Sequence, residues 1–287
     1  MDGYGEFPQR DILVKKILLM KGVLPHTILF GAIFSFYACS GPAQLSLDKT
    51  NWNTYDNYSV KKTHKLFKGE KLAFGEFATE GFKRSWTKHS GNSYGIGSGI
   101  ITDYDYTNLI KWGKLTSRQK MSFVLTNEKL SEFAEVFGLT EVKSSQIEVG
   151  KNPNTIFNIG LDIVTNLLKN PSDILYTQIY TGKEYPYELL LDDAQANMNR
   201  KKYYGVMARN DRDYYIIKPM YQLNNKRNEA MAIPFGVIGY EFFNIHEQPV
   251  AAVSLLNQGS VYLNTSDSKE RILLAAACSA ILLKGEI

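Results

Sequence analysis

Side chains able to do chemistry are few in this sequence and gather in four places. The apolar stretch in "GIITDYDYTN" ends on two carboxylates one residue apart, Asp103 and Asp105, with Thr107 behind them. "MSFVLTN" is a second apolar run, ending at Thr126, and "ELLLDDA" is a third, ending at Asp192 and Asp193. The fourth place is a thiol: "SFYACSGPAQLS" sets Cys39 directly after an apolar run and directly before a Gly-Pro break. Neighbouring carboxylates can hold a cation or move a proton. A thiol at the end of an apolar leader is a place to attach a lipid.

Much other chemistry is excluded. The chain has 287 residues, 44% hydrophobic and 22% charged, ordinary globular composition with no disordered bias. Its formal charge of +4, and +3 for residues 40–287, is too small for a nucleic-acid binder. Two cysteines, Cys39 and Cys278, permit one disulfide and no framework, and no C-x-x-C pair is present. His26, His64, His89 and His246 are scattered, so a structural zinc site is not expected. No G-x-S-x-G, H-E-x-x-H or P-loop occurs. "YGIGSGI" is glycine-rich but runs into an apolar strand pattern, which lacks the helix N-terminus of a phosphate cradle. No cofactor is implied.

The three acidic and hydroxyl fragments, taken in order, resemble the motifs of haloacid dehalogenase-type phosphatases. The resemblance implies that Asp103 attacks phosphorus, Asp105 acts as acid and base, Thr126 and Asp192 supply the later motifs, and Mg²⁺ is held among them. Lys151 or Lys169 would serve between. Against it, the 23 residues from Asp103 to Thr126 leave little room for the flap, helix and strand of an alternating α/β core. The competing reading makes Asp103 and Asp105 solvated strand-end residues. A phosphatase is therefore the alternative expectation, and a non-enzymatic module the leading one.

Upstream, Lys15, Lys16 and Lys21 precede sixteen residues, Val23 to Ala38, with no charged side chain but the normally neutral His26. A basic region, an apolar region and a small residue make the layout of an export signal. At about 1.5 Å per residue the run spans roughly 24 Å, short of the ~30 Å hydrocarbon core. Ala38-Cys39 at its end resembles the lipobox of bacterial lipoproteins. That resemblance implies a signal cut before Cys39, a diacylglyceryl thioether on its sulfur, palmitate-type acylation, and a body held at the membrane by lipid. Ser40 in the next position implies the outer membrane, periplasmic face. Met20-Lys21 reads as the natural start, with residues 1–38 as extension and signal.

Residues 40–59 are rich in Ser, Asn and Thr and read as a tether, on which Trp52 and Tyr55 can dock back. One domain is expected from about 60 to 287. "KLAFGEFATEGFKRSWTKH" has strand alternation, and after Asp173 come seven short β segments parted by turn clusters such as "NDR" and "HEQP". Two amphipathic helices are predicted: "TNEKLSEFAEVFG", with Leu130, Phe133, Ala134 and Phe137 on one face, and "NTIFNIGLDIVTNLLKNP", stopped by Pro171. The basic clusters "KRSWTKH" and "NRKKYY" are solvated turns or contacts for anionic lipid headgroups.

The last stretch, "DSKERILLAAACSAILLKG", predicts a helix capped by Asp267, with Glu270 three residues on completing a capping box. From Ile272 to Leu283 only Ser279 is polar, so the helix must be buried on every side. Its length of about 18 Å cannot cross a bilayer, so the surroundings must be protein. "SVYLNTSDSKERILLAAACSAILL" resembles the end of tubby-like and LURP-one-type domains, which implies a barrel wrapped around this helix. The expected fold is mainly β (α+β), an antiparallel meander or barrel packed on an apolar C-terminal helix. The expected partners are the membrane, through lipid, and an envelope protein or lipid.

Overall fold

The computed structural model describes residues 44–65, 69–85, 94–96, 110–112, 115–144, 147–149, 173–182, 184–200, 202–225, 227, 229–234 and 236–284. Gln44 opens the compact unit to which the described residues belong. In chain order the strands are β1 Gln44–Leu45, β2 Asp56–Ser59, β3 Lys61–Lys65, β4 Gly69–Phe74, β5 Phe77–Arg84, β6 Tyr94–Ile96, β7 Ile110–Trp112, β8 Leu115–Asn127, β9 Glu132–Ser144 and β10 Ile147–Val149. They continue as β11 Ile174–Tyr180, β12 Tyr187–Asp192, β13 Gly205–Asn210, β14 Asp213–Met220, β15 Gln222–Asn224, β16 Ala230–Ala232, β17 Gly239–Phe243, β18 Pro249–Ser254 and β19 Ser260–Leu263. Two helices are described: α1, Asp193–Met198, and α2, Ser268–Leu282.

Thirteen of these strands form one antiparallel sheet in the order β2-β19-β18-β17-β14-β13-β12-β11-β9-β8-β5-β4-β3. Its two edge strands, β2 and β3, are neighbours in the chain with Val60 alone between them. The sheet therefore rolls round until both edges belong to one run of backbone, a nearly closed barrel that exposes little unpaired edge. At the join, the Val60 N–H donates to the Gly259 carbonyl at 3.1 Å, and its side chain is buried.

α2 fills the inside. Ile272 through Leu282 are all buried, and all but Ser279 share one apolar cluster with residues of β4, β5, β8, β9, β11 to β14 and β17 to β19. Ala275, Ala276, Ala277 and Cys278 show no exposure. Alanine at these positions lets the strands approach the helix backbone, while Leu273, Leu274 and Ile281 fill the gaps. Each such burial contributes about 1.5–3 kcal/mol. Ser279, the single polar residue of the rod, donates to the Ala275 carbonyl one turn back at 2.8 Å. The expected barrel around a buried C-terminal helix is the architecture found.

The strand directions give the barrel two ends. The upper end, where α2 begins, carries the turns β4–β5, β8–β9, β11–β12, β13–β14 and β17–β18. The lower end, where α2 finishes, carries α1, the β15–β16 hairpin and the close of β14.

Two expectations are corrected. "TNEKLSEFAEVFG" is a hairpin, the end of β8 and the start of β9, turned by the Asn127 side chain accepting from Lys129 and Leu130 N–H and by Ser131 at φ 53°. Ala134 and Val136 face in while Phe133 and Phe137 face out, and apolar residues on both faces of a strand mimic helical spacing. Long pairing with β5 and β11 overrides the local pattern. The tether is also shorter than expected. β1 pairs with β15, and Leu45 and Trp52 are buried in a second apolar cluster on the outside of the sheet with Met220, Ile238 and Tyr262. Trp52 Nε1 donates to Glu241 Oε1 at 2.7 Å, and Gly239 leaves room for Leu45, whose methyls lie 3.0 Å from where a Cβ would stand. The second predicted helix, 154–171, lies outside the described residues.

Candidate functional site

Charged side chains gather at the two ends of the buried helix. At the upper end Asp267 caps α2, accepting from the Glu270 N–H at 2.8 Å. The reciprocal half of the expected capping box is replaced: Glu270 accepts instead from the Tyr215 hydroxyl at 2.9 Å and from Thr265. Arg271 then reaches outward to Asp56 at 2.8 Å, to Glu76 at 3.0 Å and to the Tyr58 hydroxyl at 2.9 Å. β2 and the β4–β5 turn lie on either side of the barrel's join, so this one guanidinium clasps the seam to the helix. Burial and the Glu76 charge push the Tyr58 phenol up to about 12. Burial pushes Glu76 upward, but hydrogen bonds from Arg271, a backbone N–H and Tyr58, with the Arg271 charge, together outweigh it and leave the carboxyl below its usual value.

At the lower end Lys284 is nearly buried and pairs with Asp193 at 2.7 Å and Asp173 at 3.0 Å. Burial alone would lower its pKa; the two carboxylates reverse this and raise it. Arg84 donates to the Leu283 carbonyl at the helix C-terminus. Cations at this end and carboxylates at the other both match the helix dipole.

A cavity of about 480 Å³ opens beside the first turns of α2, between the β11–β12 loop and β13–β14. Such a volume suits a small molecule. Tyr187 and Tyr215 form its wall with ring centres 6.2 Å apart, and Leu273 lies at its base. The Tyr187 hydroxyl donates to Asp213 at 2.5 Å, and the Arg209 guanidinium sits 4.2 Å over the Tyr187 ring while pairing with Glu184. Burial first, then Asp213 for Tyr187 and Glu270 for Tyr215, raise both phenols far above their ordinary value, so each stays a protonated donor. Three carboxylates (Glu184, Asp267, Glu270) line the cavity against two cations, Arg209 and Lys269, and Asp213 stands behind Tyr187. An occupant would be polar and not anionic, with the half-exposed Tyr185 as a stacking surface at the rim. Sequence reasoning missed this cavity because its residues run from Thr181 to Leu273 in separate strands and turns; the Tyr-rich strands were its only sign.

The residues singled out for phosphoryl chemistry are placed as follows. Asp103, Asp105, Lys151, Lys169 and Cys39 lie outside the described residues. Thr126 donates to the Ala78 carbonyl at 3.2 Å near the upper end. Asp192 is buried at the lower end, where it caps α1 by accepting from the Gln195 N–H at 3.0 Å. On β9 the Thr126 level is Phe133 and the Asp192 level, passed through Ile174, is Val142. Nine residues of strand is roughly 30 Å. The structure does not bring these two together.

Cys278 has no exposure, and burial pushes its thiol far up, so it is an unreactive filler of the core. Among the described residues no group of three His, Cys, Asp or Glu is placed to hold a metal ion, and no helix is long and apolar enough to cross a membrane. Compared with protein-family models, with characterised proteins and with solved structures, the chain shows no match.

Proposed function

We propose that this chain is an envelope lipoprotein, held in the membrane by a diacylglyceryl thioether on Cys39, whose barrel is a non-enzymatic binding or structural module. The outer membrane, periplasmic face, is the location that the residue after Cys39 favours. The observation that carries the non-enzymatic reading is the use made of the charged side chains around α2. Arg271 and Lys284 are committed to ion pairs that hold the helix in place, and Arg84 to a hydrogen bond with its last carbonyl. A barrel closing on a C-terminal apolar helix also supports kinship with the tubby-like and LURP-one-type architecture. The cavity beside α2 is the place for a small polar ligand.

Two experiments test the reading. Cells supplied with labelled palmitate incorporate it into the wild-type chain, and Cys39→Ala remains unlabelled and is lost from the membrane fraction; equal labelling of both would defeat the anchor. The rival Mg²⁺-dependent phosphatase predicts metal-dependent phosphate release that Asp103→Asn abolishes. Such turnover would replace the binding-module reading.

A further inference from the structure

We propose that the lower end of the barrel is a membrane-apposed face that docks on a bilayer containing anionic phospholipid. The inference rests on the anchoring of Cys39 for its orientation, and on the charge of the face for its partner.

The first observation is where the chain joins the body. Gln44 pairs with Asn224 and Leu45 with Leu223, so the backbone meets the barrel at the β15–β16 hairpin of the lower end. Residues 46–55 then climb the outside of the sheet to Asp56 at the upper end, held by Trp52. Only five peptide units lie between Cys39 and Gln44, a reach of at most about 18 Å. A lipid at Cys39 thus keeps the lower end close to the headgroups, and the upper turns stand roughly 30 Å farther off.

The second observation is chemistry. The loop after α1 and the β15–β16 hairpin expose Arg200, Lys202 and Arg227 against Glu229 as the one described carboxylate. Met198, Met231 and Tyr204 are exposed among them, Met198 at 66%. Arg200 makes the two loops one surface: it donates to the Ile233 and Pro234 carbonyls just after β16, and its guanidinium lies 4.8 Å over the Tyr221 ring. Cations interleaved with Met and Tyr are the composition that settles at a headgroup boundary. The upper end also exposes apolar tips, Leu130 and Phe133, but its turns carry Glu76, Glu128, Glu184, Asp211, Glu247 and Asp267, more carboxylates than cations. An anionic bilayer repels that end.

The test separates the face from the anchor by removing the lipid. The chain from residue 39 on, with Cys39→Ser, is mixed with vesicles of phosphatidylglycerol and phosphatidylethanolamine, or of phosphatidylcholine alone, and floated on a density gradient. It is expected to float with the anionic vesicles, to stay behind with the zwitterionic ones, and to be released at about 1 M salt, where the screening length is ~3 Å. Lys202→Glu/Arg227→Glu lowers flotation by roughly tenfold or more, since each basic residue at an anionic surface contributes about fivefold. Lys129→Glu/Arg212→Glu, at the upper end, leaves it unchanged, and matching thermal melts show that both variants are folded. No flotation of the parent chain, equal flotation after the lower-end reversal, or an equal loss from the upper-end reversal would each overturn the proposal. Palmitate labelling reports on Cys39 independently: an unlabelled chain that still floats removes the anchor and keeps the face, and a labelled chain whose unlipidated form never floats does the reverse.

Discussion

At the upper end the buried helix is met by carboxylates and held by a cation of its own, Arg271, that reaches out to the wall; at the lower end the wall and the chain's last described residue supply the cations. The difference follows the helix dipole, whose positive end favours Asp267 and Glu270 and whose negative end favours Arg84 and Lys284. It also differs in burial. Arg271 is 15% exposed and its partner Asp56 is 51% exposed, so the upper clasp works partly in water. Lys284 is 9% exposed with two carboxylates about it, so the lower lock works in a drier site where a missing partner is felt in full.

Removing the lower cation is therefore the largest break. Lys284→Met leaves Asp173 and Asp193 facing each other beside the carbonyl end of the helix, and the loss should be about 3–5 kcal/mol in urea unfolding. Replacing both aspartates by asparagine in the same chain should recover part of it. If Lys284→Met costs no more than an exposed substitution, the lower end is not a lock.

The upper clasp should give a smaller effect. Arg271→Gln removes charged hydrogen bonds to Asp56 and Glu76 and should cost about 1.5–3 kcal/mol. Gly75→Ala attacks the same seam from the other side. Gly75 sits at φ 53°, and a Cβ there would stand 2.5 Å from the Tyr58 ring, so the alanine displaces Tyr58 from Arg271. The two substitutions share a partner and should be less than additive in a double-mutant cycle. Full additivity would mean that the clasp is not one unit.

pH tells the two ends apart. Glu76 has its folded pKa below its usual value of 4.5, so its stabilisation is present above 4.5 and is lost as pH falls through the folded value. Tyr58 is raised to about 12, so its contribution is whole below 10 and disappears as pH climbs through 12. Lys284 is also raised, so its share likewise fades on the alkaline side, above 10.5. The alkaline limb mixes both ends, whereas among these three groups the acid limb belongs to the upper one. Thermal midpoints should hold level between the two limits, and Glu76→Gln should flatten the acid limb while lessening the Tyr58 share of the alkaline one, since the Glu76 charge helps to raise that phenol. An acid limb that survives the substitution intact would take Glu76 out of the clasp.

These ends also show what a sequence can reveal. The rod was legible because twelve residues with one polar side chain leave no wet face, and the cap was legible because Asp267 precedes it directly. The strands after Asp173 were legible because turn residues separate them. The clasp was not, since Arg271 meets Asp56 across 215 positions and Glu76 across 195. Such partners are chosen by barrel closure, which leaves no local pattern. The β8–β9 hairpin misled because Phe133 and Phe137 sit on its outer face, where apolar residues erase the alternation that marks a one-sided strand. The candidate cavity was hidden for the same reason as the clasp, its Arg209 and Glu270 being joined through Asp213, Tyr187 and Tyr215.

The smallest predicted effect sharpens the upper end further. Asp267 does two things at once: its side chain accepts from the Glu270 N–H, and its charge lies at the positive end of the helix dipole. Asp267→Asn keeps the acceptor and discards the charge, so it should cost only a few tenths of a kcal/mol. Asp267→Ala discards both and should cost about 1 kcal/mol. The order matters because Glu270 here spends its carboxylate on Tyr215 and Thr265 and cannot return to the Asp267 backbone. With no reciprocal bond in place, the cap rests on the Asp267 oxygen alone. An alanine variant as stable as wild type in urea would mean that the barrel wall, and not the cap, sets where the helix begins.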